Sequence, residues 1–144
     1  MNKDYQKVTI ELDEFLFDLP GKLVAIDGRD GCGKTTLGRF LAWHYNVTLI
    51  ETDLFLYEGC ESPTYYEEQL KRIINKRLSI PRPVIVEGIA VLKLLEGLNV
   101  DPDFLIFIEN CGFAGGKGLD EYLTGYESTY SPKQKANVIL ALNH

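Results

Sequence analysis

The stretch Gly28-Arg29-Asp30-Gly31-Cys32-Gly33-Lys34-Thr35 has the residue types and spacing that most directly suggest chemistry. It matches G-x-x-x-x-G-K-[ST], the pattern of a loop that cradles phosphate. The glycines let the chain curl until successive backbone N–H groups point at phosphate oxygens. A helix opening near Lys34 would add its positive dipole end. Lys34 can reach the β- and γ-phosphates, the Thr35 hydroxyl can ligate Mg²⁺, and Thr36 follows in the first helical turn. A chance match in a chain of this size is on the order of one in a hundred. Cys32 reads as a small loop residue. Arg29 and Asp30 are charged occupants expected to pair with each other or with solvent.

Two carboxylates complete the candidate site. Asp53 follows one apolar run, Val47 to Glu51, and Glu87 ends another, Pro83 to Glu87. Phosphoryl transfer needs a carboxylate to hold Mg²⁺, directly or through water, and benefits from one that orients or deprotonates the attacking hydroxyl. Asp53 and Glu87 are the candidates for both tasks, with Glu51 the near rival of Asp53. His44 reads as a packed residue, and no pairing of histidines and cysteines suggests a metal cluster. The basic cluster Lys71, Arg72, Lys76, Arg77 and Arg82 reads as a solvated face balanced by Glu67 and Glu68. Asn75-Lys76-Arg77-Leu78 lacks the closing Asp of the guanine-reading N-K-x-D pattern, which tilts the nucleotide toward ATP rather than GTP.

Short apolar runs rich in β-branched residues alternate with segments of helical period, and these must position the loop and the carboxylates. Strands are expected at Lys22 to Asp27, Val47 to Glu51, Pro83 to Glu87, Asp103 to Ile108 and Val138 to Leu142. Helices are expected from Leu37 to Tyr45, from an N-cap at Ser62 with Pro63 as first residue, and from Ile89 to Glu96 with Gly97 as its stop. Asn110 to Gly118 reads as a glycine-rich loop, followed by a short helix over Leu119 to Leu123. Val8 to Leu19 reads as an edge strand and then a helical turn. Strands alternating with helices imply a parallel sheet covered on both faces, with the ligand site at the carboxyl ends of the strands.

The chain has 144 residues and a net charge of −6, with 45% hydrophobic and 25% charged residues. These values fit a single globular domain over 1–144. No apolar run is long enough for a membrane span, and the start of the chain lacks the apolar core of a secretory signal. The acidic balance argues against a nucleic-acid partner. Cys32, Cys60 and Cys111 are odd in number and widely spaced, which suggests reduced thiols in a cytoplasm.

These residues resemble the uridine kinase and phosphoribulokinase group of P-loop kinases. VAIDGRDGCGKTTL (Val24 to Leu37) looks like the group's first strand and phosphate loop. ETDLFL (Glu51 to Leu56) is similar to its second strand ending in a catalytic Asp, and PVIVEGI (Pro83 to Ile89) to its third strand and acidic residue. A weaker likeness lies in Tyr130, Pro132, Lys135, Ala136 and Asn137 before the last strand. The resemblance implies a three-layer α/β/α fold with a mainly parallel sheet of about five strands and the phosphate loop at its middle. It implies an ATP- and Mg²⁺-dependent kinase acting on a hydroxyl of a nucleoside, sugar or similar metabolite. Gly28 to Thr36 would bind nucleotide, Lys34, Asp53 and Glu87 would be catalytic, and Thr35, Asp53 and Glu87 would form the metal shell. Residues 1–20 would be an N-terminal extension, and a homo-oligomer is compatible with all of this.

The sequence also departs from the group. Its members close an arginine-bearing lid over the transferring phosphate, yet no arginine follows Arg82 here. Residues 109–131 form the reduced counterpart, with Lys117 set among glycines. Arg29 or Arg39 could substitute only if geometry allowed. The second expectation is therefore a nucleotide-binding or slow NTP-hydrolysing regulatory protein without kinase activity.

Overall fold

The computed structural model describes residues 2–110 and 118–143. In chain order the elements are α1 (Lys3–Phe15), β1 (Leu23–Gly28), α2 (Lys34–Tyr45), β2 (Thr48–Glu51), a 3₁₀ turn (Thr52–Phe55), α3 (Glu67–Ser79), β3 (Val84–Glu87), α4 (Val91–Gly97), β4 (Phe104–Asn110), α5 (Asp120–Tyr130), α6 (Pro132–Lys135) and β5 (Val138–Leu142). The strands form one five-stranded sheet in the order β2-β3-β1-β4-β5. Every pairing is parallel, with Ile26 opposite both Glu87 and Ile106.

The sheet buries both faces, so its strands are apolar runs rather than alternating ones. Along β1, Val24 and Ile26 face a core shared with Val8 and Leu12 of α1, with Leu16 just after that helix, and with Leu37 and Leu41 of α2. Leu23 and Ala25 face the opposite core, with Leu70 and Ile74 of α3 and Val91, Leu94 and Leu95 of α4. Leu123 and Tyr126 of α5 then pack on Ala90, just ahead of α4. Helices therefore cover both faces of a central parallel sheet, the three-layer arrangement expected. The first crossover leads from β1 to the far edge, and later ones step back across the sheet. That reversal opens a crevice at the carboxyl end of β1.

Three expectations change. Val8 to Leu19 is not an edge strand, because Val8, Leu12 and Leu16 recur at a helical spacing that the alternation of Val8, Ile10 and Leu12 partly mimics. Ile10 is exposed and Val8 and Leu12 are fully buried. Asn2 caps this helix by accepting from the Asp4 amide. Ser62 and Pro63 do not open α3, since that segment pairs instead with the chain after the 3₁₀ turn, through a bridge between Leu56 and Tyr65. The short helix expected over Leu119 to Leu123 continues to Tyr130, because Leu123 and Tyr126 give it a buried stripe. Among the described residues no helix is long and apolar enough to cross a membrane. Within the glycine-rich loop, Cys111, Gly112, Gly115, Gly116 and Lys117 lie outside the described residues.

Candidate functional site

β1 delivers the phosphate loop to the middle of the sheet edge. Gly28 ends the strand with no room for a side chain, since a Cβ there would lie 2.6 Å from Cys32 Sγ and 2.8 Å from the Ile108 carbonyl oxygen. The loop is tied to β4 from the other side, where Asn110 Nδ2 donates to the Cys32 carbonyl at 3.3 Å. Gly33, with φ of 111°, turns the chain into α2. Lys34 is buried at the start of α2, and its Nζ donates to the Arg29 carbonyl at 2.7 Å, folded over the loop it would share with phosphates. Thr36 is exposed in the same turn. Burial pushes the Cys32 thiol up, so it stands as a neutral packing group.

Thr35 and Glu87, which lie on different elements, meet here. The Thr35 hydroxyl donates to Glu87 Oε2 at 2.8 Å. Glu87 is 2% exposed at the end of β3. Burial raises its pKa, nearby Asp53 and Glu51 raise it further, and the Thr35 hydrogen bond and Lys34 charge oppose them. Asp53 is exposed in the 3₁₀ turn beyond β2, on the same edge of the sheet. Among the described residues no group of three or more His, Cys, Asp or Glu is arranged to hold a metal. Mg²⁺ in nucleotide sites asks for less, one or two carboxylates with phosphate and water completing the shell. The Thr35 hydroxyl and Glu87 carboxylate are hard oxygen donors in contact, and a cation would relieve the crowding of negative charge around Glu87. The residues fit the ion. Glu51, the rival of Asp53, is engaged elsewhere, its carboxylate accepting from Arg39 Nη2 at 2.9 Å and Nε at 3.1 Å.

Arg29 pairs neither with Asp30 alone nor with solvent. Its Nε and Nη2 fork onto Glu127 at 3.2 and 2.8 Å, Nη1 donates to Asp120 at 2.9 Å, and Nη2 to Thr124 at 3.1 Å. The acidic face of α5 therefore takes the guanidinium. The basic residues of α3 are exposed as expected, and Arg82 Nη2 donates to the Asn46 carbonyl at 2.7 Å. His44 is exposed rather than packed, with its ring stacked on Phe40. Asn137 is structural, since its Oδ1 accepts from the Leu105 amide at 2.8 Å.

Sequence reasoning missed Asp27. It is 1% exposed directly beneath the loop and accepts from the Gly28 amide and the Tyr126 hydroxyl. Tyr126 in turn accepts from the Leu92 amide of α4 at 3.2 Å. Burial pushes Asp27 up to about 6 against the pull of those hydrogen bonds and of Lys34. An acid closing an otherwise apolar strand was the available signal, whereas nothing near Tyr126 in the sequence announces its partner. Thr52 was missed too. It is buried directly before Asp53, in the 3₁₀ turn that packs against Gly88. Tyr65 lines a cleft of about 310 Å³ shared with Pro63, Lys93, Glu96, Tyr122 and Tyr130.

No family model matches the sequence, and no curated protein matches it. Solved structures do match. A possible uridine kinase from Bacillus stearothermophilus is 14% identical, with a TM-score of 0.68 over 94% of this chain and 97% of that one. A sugar kinase from Janibacter sp. HTCC2649 is 17% identical, with a TM-score of 0.51 over 86% of each chain. Shikimate kinase from Aquifex aeolicus is 19% identical, with a TM-score of 0.52 over 83% of this chain and 85% of that one. At these identities the likeness is one of fold, and the fold is that of P-loop kinases, as the sequence resemblance implied.

Proposed function

We propose that this chain is a single-domain, ATP- and Mg²⁺-dependent small-molecule kinase that transfers the γ-phosphoryl group to a hydroxyl of a nucleoside, sugar or similar metabolite. The observation that carries the reading is the meeting of Thr35 with Glu87 beside the phosphate loop, with Lys34 and Asp53 on the same sheet edge. In this reading Gly28 to Thr36 hold the nucleotide phosphates through backbone amides. Lys34 leaves the Arg29 carbonyl for the β- and γ-phosphate oxygens. Thr35, Glu87 and Asp53 would hold Mg²⁺, and the ion would supply neutralisation of charge on the phosphoryl oxygens. Asp53 accepts the proton of the acceptor hydroxyl as its oxygen attacks the γ-phosphorus, and the bond from that phosphorus to the bridging oxygen breaks to release ADP. The acceptor occupies the cleft beside Tyr65, whose tyrosine walls and charged rim suit a polar ring.

A second reading, a nucleotide-binding or slowly hydrolysing regulatory protein, is favoured by the state of the arginines. Arg29 is committed to α5 and Arg39 to Glu51, so neither guanidinium points to a transferring phosphate.

The test is incubation with ATP and Mg²⁺ against a panel of nucleosides, sugars and related metabolites, following ADP and phosphorylated acceptor together. ADP formation that requires one acceptor is the expected result. Slow ADP formation indifferent to every acceptor would establish the second reading. With the active acceptor, Asp53→Asn should bind ATP normally and lose transfer by about 10²–10⁴-fold. Transfer at the unaltered rate would remove Asp53 from the mechanism.

A further inference from the structure

Arg29 is bound at both ends. Its guanidinium makes four hydrogen bonds to Asp120, Thr124 and Glu127, while its carbonyl oxygen accepts from Lys34 Nζ at 2.7 Å and from the Cys32 amide at 3.3 Å. One residue of the phosphate loop therefore carries a side chain fixed on α5 and a carbonyl that seats the phosphate-binding lysine. Asp120, Thr124 and Glu127 recur at helical spacing, so one face of α5 presents all three to the same cation. The fork onto Glu127 orients the guanidinium plane as well as attracting its charge, which a lysine could not reproduce. The Arg29 and Glu127 side chains are 31% and 33% exposed, so that pair is partly shielded from solvent, whereas the Asp120 pair stands in the open.

We infer that Asp120 and Glu127 are positioning residues for nucleotide binding. Through the Arg29 guanidinium they hold the phosphate loop in the conformation that receives phosphates. α5 has a separate anchor, because Leu123 and Tyr126 are buried against the chain ahead of α4 and Tyr126 bonds Asp27. Neutralising the acidic face therefore releases Arg29 without undocking the helix. Since coupling between sites is reciprocal, nucleotide in the loop tightens the seating of α5 to the same degree.

The inference rests on the reading of the loop as a nucleotide site, and the experiment separates the two. ADP binding in the presence of Mg²⁺ is measured by calorimetry, with thermal unfolding on the same samples. The proteins are the unaltered chain, R29Q, D120N/E127Q, the triple variant and the charge-exchanged R29E/E127R. R29Q and D120N/E127Q should each weaken ADP binding by about five- to tenfold. The triple variant should be no weaker than either, and the exchanged pair should regain part of the loss. Should D120N/E127Q fail to fold, E127Q alone removes the fork while leaving Asp120 and Thr124 on the guanidinium, and a smaller loss is expected. Unchanged affinity in a variant with lowered melting temperature would overturn the inference, because a purely structural contact gives that pattern. Tighter binding, or losses that simply add, would overturn it as well. An unaltered protein that binds no ADP overturns the nucleotide reading itself.

Discussion

Asp27 shows how much one buried carboxylate can report. Its folded pKa of about 6 exceeds the ordinary aspartate value, so the folded state keeps this proton to higher pH than the unfolded chain does. The sign follows from linkage. Well below the ordinary value of 3.8 both states are protonated and the group costs nothing. As pH rises to about 6 the unfolded state ionises first, and stability falls. The loss approaches 3 kcal/mol, on the order expected for a shift of this size, and then stays constant. Asp27→Asn should abolish that part of the pH slope, measured by urea unfolding between pH 4 and 7 (roughly the window of the two pKa values); an unaltered slope would place the titration elsewhere. Lys34 makes a second prediction at this scale. Lys34→Ala removes the proposed charged hydrogen-bond donor to phosphate and should weaken ADP binding by about 10- to 100-fold in calorimetry. Lys34 was legible from the motif. Asp27 was visible only as an acid at the end of an apolar run.

Among the elements, β3 and the 3₁₀ turn after β2 meet so closely that Gly88 has no room for a methyl group. A Cβ there would lie 1.9 Å from Thr52 Oγ1. Gly88→Ala should push the turn that carries Asp53 outward, costing about 1–3 kcal/mol in urea unfolding and impairing transfer more than nucleotide binding. The helix α1 makes the other test at this scale. Leu12 is fully buried between α1 and the sheet. Leu12→Ala should cost about 2–5 kcal/mol of unfolding free energy, which a detached extension would not. The five strands were legible because buried parallel strands are short apolar runs bounded by breakers. α1 was misread because a helix with apolar residues four apart contains the same even-numbered positions as a strand. The start of α3 was misread because Ser-Pro is equally at home in the turn before a bridge.

For the whole molecule, the net charge of −6 is spread over a surface whose proposed phosphate site would be built from backbone amides and one lysine. Exposed charges are screened within about 10 Å at 0.1 M salt, whereas a loop that wraps the phosphate is not. Nucleotide affinity should therefore change little as salt rises in a calorimetric titration, and a steep loss would implicate the basic residues of α3. The charge pattern around the loop inverts the one the family resemblance implies. α5 presents Asp120 and Glu127 where arginines were expected, and the arginine stands on the loop.

The sequence alone determined the parallel α/β architecture, the glycine-rich loop at the end of its first strand, and the placing of Lys34, Asp53 and Glu87 on one edge of the sheet. Those features are local: a glycine pattern, apolar runs of strand length, and acids at strand ends. Tertiary structure alone decided what each charge is worth. Thr35 meets Glu87 across 52 positions, Arg29 reaches Glu127 across 98, and Asp27 finds Tyr126 across 99. No periodicity encodes such pairings, because they depend on how helices dock on the sheet, and docking is set by burial of apolar faces rather than by the polar groups it brings together.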